Sequence, residues 1–366
     1  MQKNKIKHSW NCKKTKLKLI KMSQTLETLI NGESKIITME TTKLQTPIEL
    51  KTRYPITDTT EKTVYNARRD ISNILSQQDP RFIVITGPCS IDNTDAATEY
   101  AQRLKKLSEE VNDKLLLVMR TYFEKPRTTV GWKGLIYDPN QDESYDMQKG
   151  LEMARQLLLE IGNIGIPTAT EFLNPLITDY LKDCISYGAI GARTSESQTH
   201  RELALYLPMP TGFKNTTEGN IKAAIDSVLA ASISQTSLRL SENNQRERIT
   251  TPGNHNAHLI LRGGSNGPNY DEQSVQQALQ LLQAAKLKQR LIIDCSHANS
   301  NKKPENQPTV AINVTQQRLF NPYISGIMLE SYLIHGKGNQ YGQSKTDGCI
   351  DWATTETLIK DIYKKL

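Results

Sequence analysis

The sequence predicts an α/β fold, a closed (β/α)8 TIM barrel, on three observations. From residue 82 onward, short β-branched or apolar runs alternate with amphipathic stretches whose apolar residues recur at helical spacing. Eight such pairs fit in the rest of the 366-residue chain. Nearly every strand run also ends in a charged or metal-competent side chain, as residues meeting at one barrel mouth would. A doubly wound open sheet is the alternative that the alternation also allows.

Residues 1–39 are expected to be a basic, disordered extension, or to lie ahead of a true start at Met22 or Met39. Residues 40–80 are expected to form a short arm and one helix, TEKTVYNARRDISNIL. The barrel then takes residues 81–366. Its strands are FIVIT (82–86), LLLVMR (115–120), IPTATE (166–171), AIGAR (189–193), MPTGFK (209–214), HLILR (258–262), LIIDC (291–295) and SGIMLE (325–330). Helices between them include DAATEYAQRLKKLSEE (95–110), GLEMARQLLLEI (150–161), TEGNIKAAIDSVLAAS (217–232) and DEQSVQQALQLLQAAK (271–286), with a last one over 352–365. Residues 234–255 exceed what one strand-to-helix connection needs, so SLRLSEN and RERITT are predicted as an inserted β-hairpin before strand six.

The charge balance narrows the function classes. The chain carries a net charge of +7, but residues 1–21 hold eight lysines and no acid. Of 46 Lys and Arg this leaves 38 against 39 acids, so the body is near neutral and lacks the basic face of a nucleic-acid binder. No run of 18 apolar residues exists, which excludes a helical membrane span, and the basic tail lacks the apolar region of a signal peptide. Five cysteines without CxxC spacing point away from disulfide frameworks and zinc fingers. A cytoplasmic protein is expected.

The strand ends divide into two chemistries. Arg120, Lys125, Arg127, Arg193, Lys214 and Arg262 are cations enough for more than one anionic group, and arginine forks match phosphate and carboxylate oxygens. Cys89, His297, Glu330 and Asp347 offer a thiolate, an imidazole and two carboxylates. That mixed set suits a catalytic divalent ion such as Mn, Fe, Co or Zn rather than structural zinc. Taken singly, Cys89 reads as a small buried apolar residue and His297 as a core or capping histidine; convergence in a barrel is what makes them a site.

The motifs GPCSI (87–91), RTYFEKPRTTVGWKG (120–134), GAIGARTSESQTHRE (188–202), GFKN (212–215), ILRGG (260–264), PNY (268–270), IDCSHANSNK (293–302), LES (329–331) and TDGCIDW (346–352) occur in order. Over residues 44–366 the chain closely resembles the enteric and yeast type (class I) of 3-deoxy-D-arabino-heptulosonate 7-phosphate (DAHP) synthases. The resemblance implies condensation of phosphoenolpyruvate with erythrose 4-phosphate, the first step of the shikimate pathway to aromatic amino acids. It implies that Cys89, His297, Glu330 and Asp347 hold one divalent metal ion, with no organic cofactor. It implies that Arg120, Lys125, Arg193, Lys214 and Arg262 grip phosphoenolpyruvate beside Glu171. Arg127 and Thr128 would hold the phosphate of the four-carbon sugar. Lys125, Glu171 and Asp347 are the candidates for moving protons. A homodimer or homotetramer is expected, with a possible aromatic amino acid effector.

Several segments depart from the family pattern. Asp92-Asn93 stands where His-Asp is common, and the loop from Glu330 to Asp347 is shorter than in the enteric enzymes. EFLNPLITDY and the arginine-bearing hairpin replace segments that surround the effector pocket in relatives, while TPIELKTRYPIT and LPMPTGFKN most resemble the tryptophan-sensitive isozyme. The competing readings are a related phosphoenolpyruvate–sugar synthase, a non-catalytic regulatory paralogue, and nucleic-acid binding through the basic arm.

Overall fold

The computed structural model describes residues 21–30, 33–127 and 129–366. Expectations for residues 1–20, 31–32 and Thr128 lie outside the described residues. The chain divides into two units, Met1–Gln45 and Thr46–Leu366. In the first, β1 (Lys21–Ile30) and β2 (Glu33–Thr42) pair antiparallel, from Lys21 opposite Thr42 to Ile30 opposite Glu33. The sequence reading expects disorder through residue 39; the structure has strand. The lysine-rich start dominates that reading, yet the Thr- and Ile-rich run over 33–42 carries the β-branched residues that favour strands.

The second unit opens with α1 (Pro47–Arg53), started by a reciprocal cap. Glu49 N donates to Thr46 Oγ1 at 3.3 Å, and Thr46 N donates to Glu49 Oε2 at 2.7 Å. Next come α2 (Asp58–Leu75), β3 (Phe82–Gly87), α3 (Thr94–Val111), β4 (Leu115–Arg120) and α4 (Met147–Ile164). They are followed by β5 (Thr168–Glu171), α5 (Pro175–Leu181), β6 (Tyr187–Ile190), α6 (Gln198–Leu205), β7 (Thr211–Lys214) and α7 (Ile221–Ser232). The inserted hairpin is β8 (Gln235–Leu240) with β9 (Arg246–Thr251). After it run β10 (His258–Leu261), α8 (Glu272–Ala284), β11 (Leu291–Asp294), α9 (Gln307–Arg318) and β12 (Ile324–Glu330). A short pair, β13 (Ile334–Lys337) and β14 (Gln343–Ser344), precedes α10 (Trp352–Lys365).

Strands β3, β4, β5, β6, β7, β10, β11 and β12 form a closed barrel of parallel neighbours, with β12 returning to β3. Parallel strands are covered on both faces, so they read as unbroken apolar runs. That is why their positions are legible in the sequence to within a few residues. Strand four ends at Ile190 and strand six at Leu261, so Arg193 and Arg262 sit in the loops just beyond rather than within strands. Helix α7 starts at Ile221 rather than 217, because Asn220 caps it and Gly219 at φ +100° turns the chain before it.

The barrel interior is apolar at its lower end. Ile71, Ile74 and Leu75 of α2 pack with Ile83, Ile85, Val118, Ile260, Ile292 and Met328, so α2 plugs the end opposite the strand C-termini. Glycines let the strands and side chains crowd there. A Cβ on Gly326 would lie 2.4 Å from Ile83 O, and one on Gly212 would lie 2.4 Å from Tyr187 Oη. The space at Gly212 admits a buried pair: Tyr187 Oη lies 2.8 Å from His258 Nε2, and His258 Nδ1 lies 2.9 Å from Asn256 O. The carbonyl can only accept, so Nδ1 donates and Nε2 accepts from the tyrosine. Burial pulls the His258 pKa down to about 3.

An unfolded histidine takes up a proton below its ordinary value of about 6.5, which folded His258 refuses. This group therefore stabilises the fold at neutral pH and loses that contribution as pH falls from about 6.5 toward 3. Replacing His258 by Gln, which keeps an acceptor for Tyr187, should flatten the loss of stability between pH 7 and pH 5 by about 2 kcal/mol, read from denaturant midpoints.

Candidate active site

The C-terminal ends of the barrel strands surround a cavity of about 500 Å³. Arg120, Lys214 and Glu330 reach it from strand ends; Lys125, Arg127, Arg193, Arg262, His297 and Asp347 reach it from the loops that follow. Glu171 closes one side from the end of β5. Thr128 lies outside the described residues. The sequence-predicted cations and acids thus share one cavity, with Cys89 buried beneath its rim.

Each wall is set by local backbone requirements. Gly87 ends β3, and a Cβ there would meet Arg120 O at 2.8 Å, so only glycine lets the Gly87-Pro88-Cys89 turn lie against β4. The segment 124–134 closes on itself through Lys125 N donating to Lys133 O at 2.9 Å. Gly131, at φ +139°, sits under the Arg127 guanidinium, where a Cβ would be 2.7 Å from Nη2. Glu124 anchors the loop from below: its carboxylate accepts from Tyr137 Oη at 3.2 Å and from Asn174 N at 3.3 Å. Burial pushes the Glu124 carboxyl up to about 7. The segment after Glu330 brings Asp347 inward. The β13–β14 pair and the bridges Ser331–Ile350 and Gly336–Cys349 fold it back, and Ser90 Oγ lies 2.8 Å from Thr346 Oγ1.

The cations on the floor are buried and compensated. Arg120, 1% exposed, places Nη2 3.2 Å from Glu330 Oε1 and its guanidinium 3.8 Å from the centre of the Tyr122 ring. Lys214 Nζ lies 2.7 Å from Asp294 Oδ2. Burial works against the Lys214 ammonium, but Asp294 overcomes it and leaves the lysine above its ordinary pKa. Arg262 lacks so close a partner, and burial lowers its pKa. Arg120 Nη1, Arg262 Nε and Tyr122 Oη are buried polar atoms with no hydrogen-bond partner in the protein. Buried donors of this kind are rare away from ligand sites, and these three residues all line the cavity.

The metal-competent residues converge as well. Ligand atoms of Cys89, Glu330 and Asp347 lie within 4.8 Å of one another, and His297 Nε2 lies 3.8 Å from Glu330 Oε1. Lys125 bridges this group to the cations, donating to Cys89 Sγ at 2.6 Å and lying 3.0 Å from Asp347 Oδ2. Burial, then the neighbouring Glu330 charge, push the Cys89 thiol up to about 12. Burial alone would raise Asp347, but Lys125 holds its carboxyl well below the usual range. A soft sulfur, hard oxygens and an imidazole fit a first-row divalent cation, which would hold the sulfur as thiolate.

Sequence reasoning missed four residues of this arrangement. Asp294 stands in the same DCSH run as His297 but was not assigned a task, and Tyr122 lies two residues beyond Arg120 under its guanidinium. The lysines Lys302 and Lys337 also line the cavity and carried no signal, since exposed lysines are common. Asp92 lies outside the cavity lining; burial pushes it up to about 6, with Lys345 pulling it back. Asn93 caps α3, its Oδ1 accepting from Ala96 N at 2.9 Å.

If Cys89 is a ligand, replacing it by Ser should weaken Mn2+ binding by more than about 10-fold, because hydroxyl oxygen is a far poorer ligand than thiolate. Titration of free Mn2+ by electron paramagnetic resonance reads this directly. Unchanged affinity removes Cys89 from the set.

Comparison with known proteins gives the family. Residues 45–360 match the family model described as "DAHP synthetase I family". The chain is 46% identical over 332 residues to the Tyr-sensitive phospho-2-dehydro-3-deoxyheptonate aldolase of Escherichia coli (strain K12), covering 88% of this chain and 93% of that protein. It is 45% identical over 341 residues to the Trp-sensitive enzyme of the same organism, covering 91% and 98%. These identities do not separate the two isozymes. Among solved structures, the phospho-2-dehydro-3-deoxyheptonate aldolase of Francisella tularensis SCHU S4 superposes with a TM-score of 0.86 at 41% identity, covering 88% of this chain and 96% of that one. With eight parallel strands closed into a barrel and the cations and acids of their ends gathered at one mouth, the chain belongs to the DAHP synthetase I family.

Proposed function

We infer that the site condenses phosphoenolpyruvate with D-erythrose 4-phosphate and water to give DAHP and inorganic phosphate, the first committed step toward chorismate. The observation that carries this reading is the trio of buried, unpartnered donors, Arg120 Nη1, Arg262 Nε and Tyr122 Oη, in a cavity also lined by Glu330 and Asp347, whose ligand atoms lie within 4.8 Å of the buried Cys89 sulfur. An anion with two charged ends needs such a floor, and a reacting carbonyl needs an electrophile beside it.

Arg120, Arg193, Lys214 and Arg262, with Lys125, bind the carboxylate and phosphate of phosphoenolpyruvate and exclude water from it. Arg127 at the rim takes the sugar phosphate, a task the family resemblance also gives to Thr128, and Pro126 fixes φ between Lys125 and Arg127. Held this way, C3 of phosphoenolpyruvate faces the aldehyde carbon, and the C3–C1 bond forms as the aldehyde oxygen becomes anionic. Cys89, His297, Glu330 and Asp347 would hold one divalent ion of the Mn, Fe, Co or Zn class, which supplies Lewis-acid polarisation of that oxygen. Lys125, held protonated by its acidic neighbours despite burial, is placed to deliver a proton to it. Water then adds at C2, and the C2–O bond to phosphate breaks. Glu171, a carboxylate lining the cavity away from the metal-competent set, is the base assigned to take the proton of that water. Its carboxylate rests against Gly191, where a Cβ would lie 2.1 Å from Oε1.

Among the described residues four cysteines are free and buried, which supports a reducing, cytoplasmic setting. Among the described residues no helix is long and apolar enough to cross a membrane. A homodimer or homotetramer and an aromatic amino acid effector complete the proposal. Light scattering of the purified chain, and activity with Phe, Tyr or Trp added singly, test these two points.

The central test follows phosphate release from phosphoenolpyruvate and erythrose 4-phosphate with Mn2+. Activity should vanish with a chelator and return on adding the ion. No release across several divalent metals would sink the reading. A Gly191→Ala variant should lower turnover about 10- to 100-fold by displacing the Glu171 carboxylate, with little change in melting temperature. Wild-type turnover in that variant removes Glu171 from the proton path.

A further inference from the structure

Asp294 ends β11 with no solvent exposure, and both of its oxygens are fully used. Oδ1 accepts from Ser296 N at 3.0 Å and from Ser296 Oγ at 2.6 Å. Oδ2 faces two groups at once, Lys214 Nζ at 2.7 Å and His297 Nδ1 at 3.2 Å. One belongs to the cation floor and the other to the metal-competent set.

The hydrogen bonds also fix the imidazole. The single Ser296 hydroxyl hydrogen is spent on Asp294, so toward His297 Nδ1, at 2.6 Å, Ser296 Oγ can only accept. A carboxylate oxygen can only accept too. Nδ1 therefore carries the hydrogen, and Nε2, 3.8 Å from Glu330 Oε1, keeps its lone pair for a cation. The backbone cooperates: His297 sits at φ +58°, a left-handed conformation that costs energy in a residue with a Cβ. Lys302 N at 2.7 Å and Ser300 Oγ at 3.2 Å both donate to His297 O and hold that turn.

We propose that Asp294 is a positioning residue for both halves of the site: through one oxygen it sets the His297 tautomer for a divalent cation and aims the Lys214 ammonium at phosphoenolpyruvate, so that the two ligands bind with linked affinities. The proposal rests on the reaction assigned above. A shift of the carboxylate toward either partner alters its bond to the other, and linkage of this kind is reciprocal.

The test uses Mn2+ as the probe, on the full-length Asp294→Asn variant beside wild type. The amide keeps the volume but puts a donor where one of four donors points. Mn2+ affinity, from the free-ion resonance signal, should fall about 10- to 100-fold. At saturating Mn2+ the KM for phosphoenolpyruvate should rise while the KM for erythrose 4-phosphate stays within about two-fold. Phosphoenolpyruvate should tighten Mn2+ binding at least about five-fold in wild type and lose most of that effect in the variant. Mn2+ affinity and coupling equal to wild type overturn the proposal. So does a parallel rise of both KM values, which marks a merely structural residue. If the Asn variant is unfolded by circular dichroism, Ser296→Ala, which removes only the hydroxyl shared by Asp294 and His297, is read by the same criteria. Absence of phosphate release by wild type counts against the assigned reaction instead, since the Mn2+ titration does not depend on turnover.

Discussion

Everything at the mouth of this barrel depends on the mutual neutralisation of charges that the fold has taken out of water. Arg120 against Glu330 and Lys214 against Asp294 are ion pairs whose four side chains are each at most 4% exposed. Removing such charges from water costs several kcal/mol per ion, about what a good partner repays. Neither member can be left alone, so the strands that carry them, β4 with β12 and β7 with β11, must close in register for the pairs to form. The same pairs carry the chemistry. What balances the core also lines the cavity.

That arrangement places the site inside the stability ledger of the fold. The lower half of the barrel is an apolar plug built on α2 and the strand interiors, with the neutral Tyr187–His258 pair as its polar exception. The upper half is held by charge. A barrel with its apolar end closed can tolerate buried donors such as Arg120 Nη1 and Arg262 Nε at the other end, because the loops there need not be close-packed.

Loops then sort the charges by task. The 124–134 segment sets Lys125 inward, against Cys89 and Asp347, and Arg127 outward over Gly131. The two bridges of the segment after Glu330 return Asp347 to 3.3 Å from Cys89 Sγ. The charges of the hairpin β8–β9 have partners: Arg239 pairs with Glu247 at 3.1 Å, and Glu242 with Lys51 at 2.7 Å.

The eight strands, most helices and the residue types of both chemistries were legible in the sequence. Parallel strands buried on two faces leave unbroken apolar runs, and charges have no other reason to end such runs. Motif order made the family legible too. The paired strands 21–30 and 33–42 were not, because nearby lysines swamp a short β-branched pattern. The tasks of Asp294 and Tyr122 were also invisible, since each depends on a neighbour distant in sequence or on ring placement: Asp294 meets Lys214 across β11 and β7, and the Tyr122 ring lies under the Arg120 guanidinium. The sequence by itself determined which groups are present and that they end strands. Only the tertiary structure decided which of them touch, because pairing across a closed barrel is set by register and loop return, neither of which is written in local spacing.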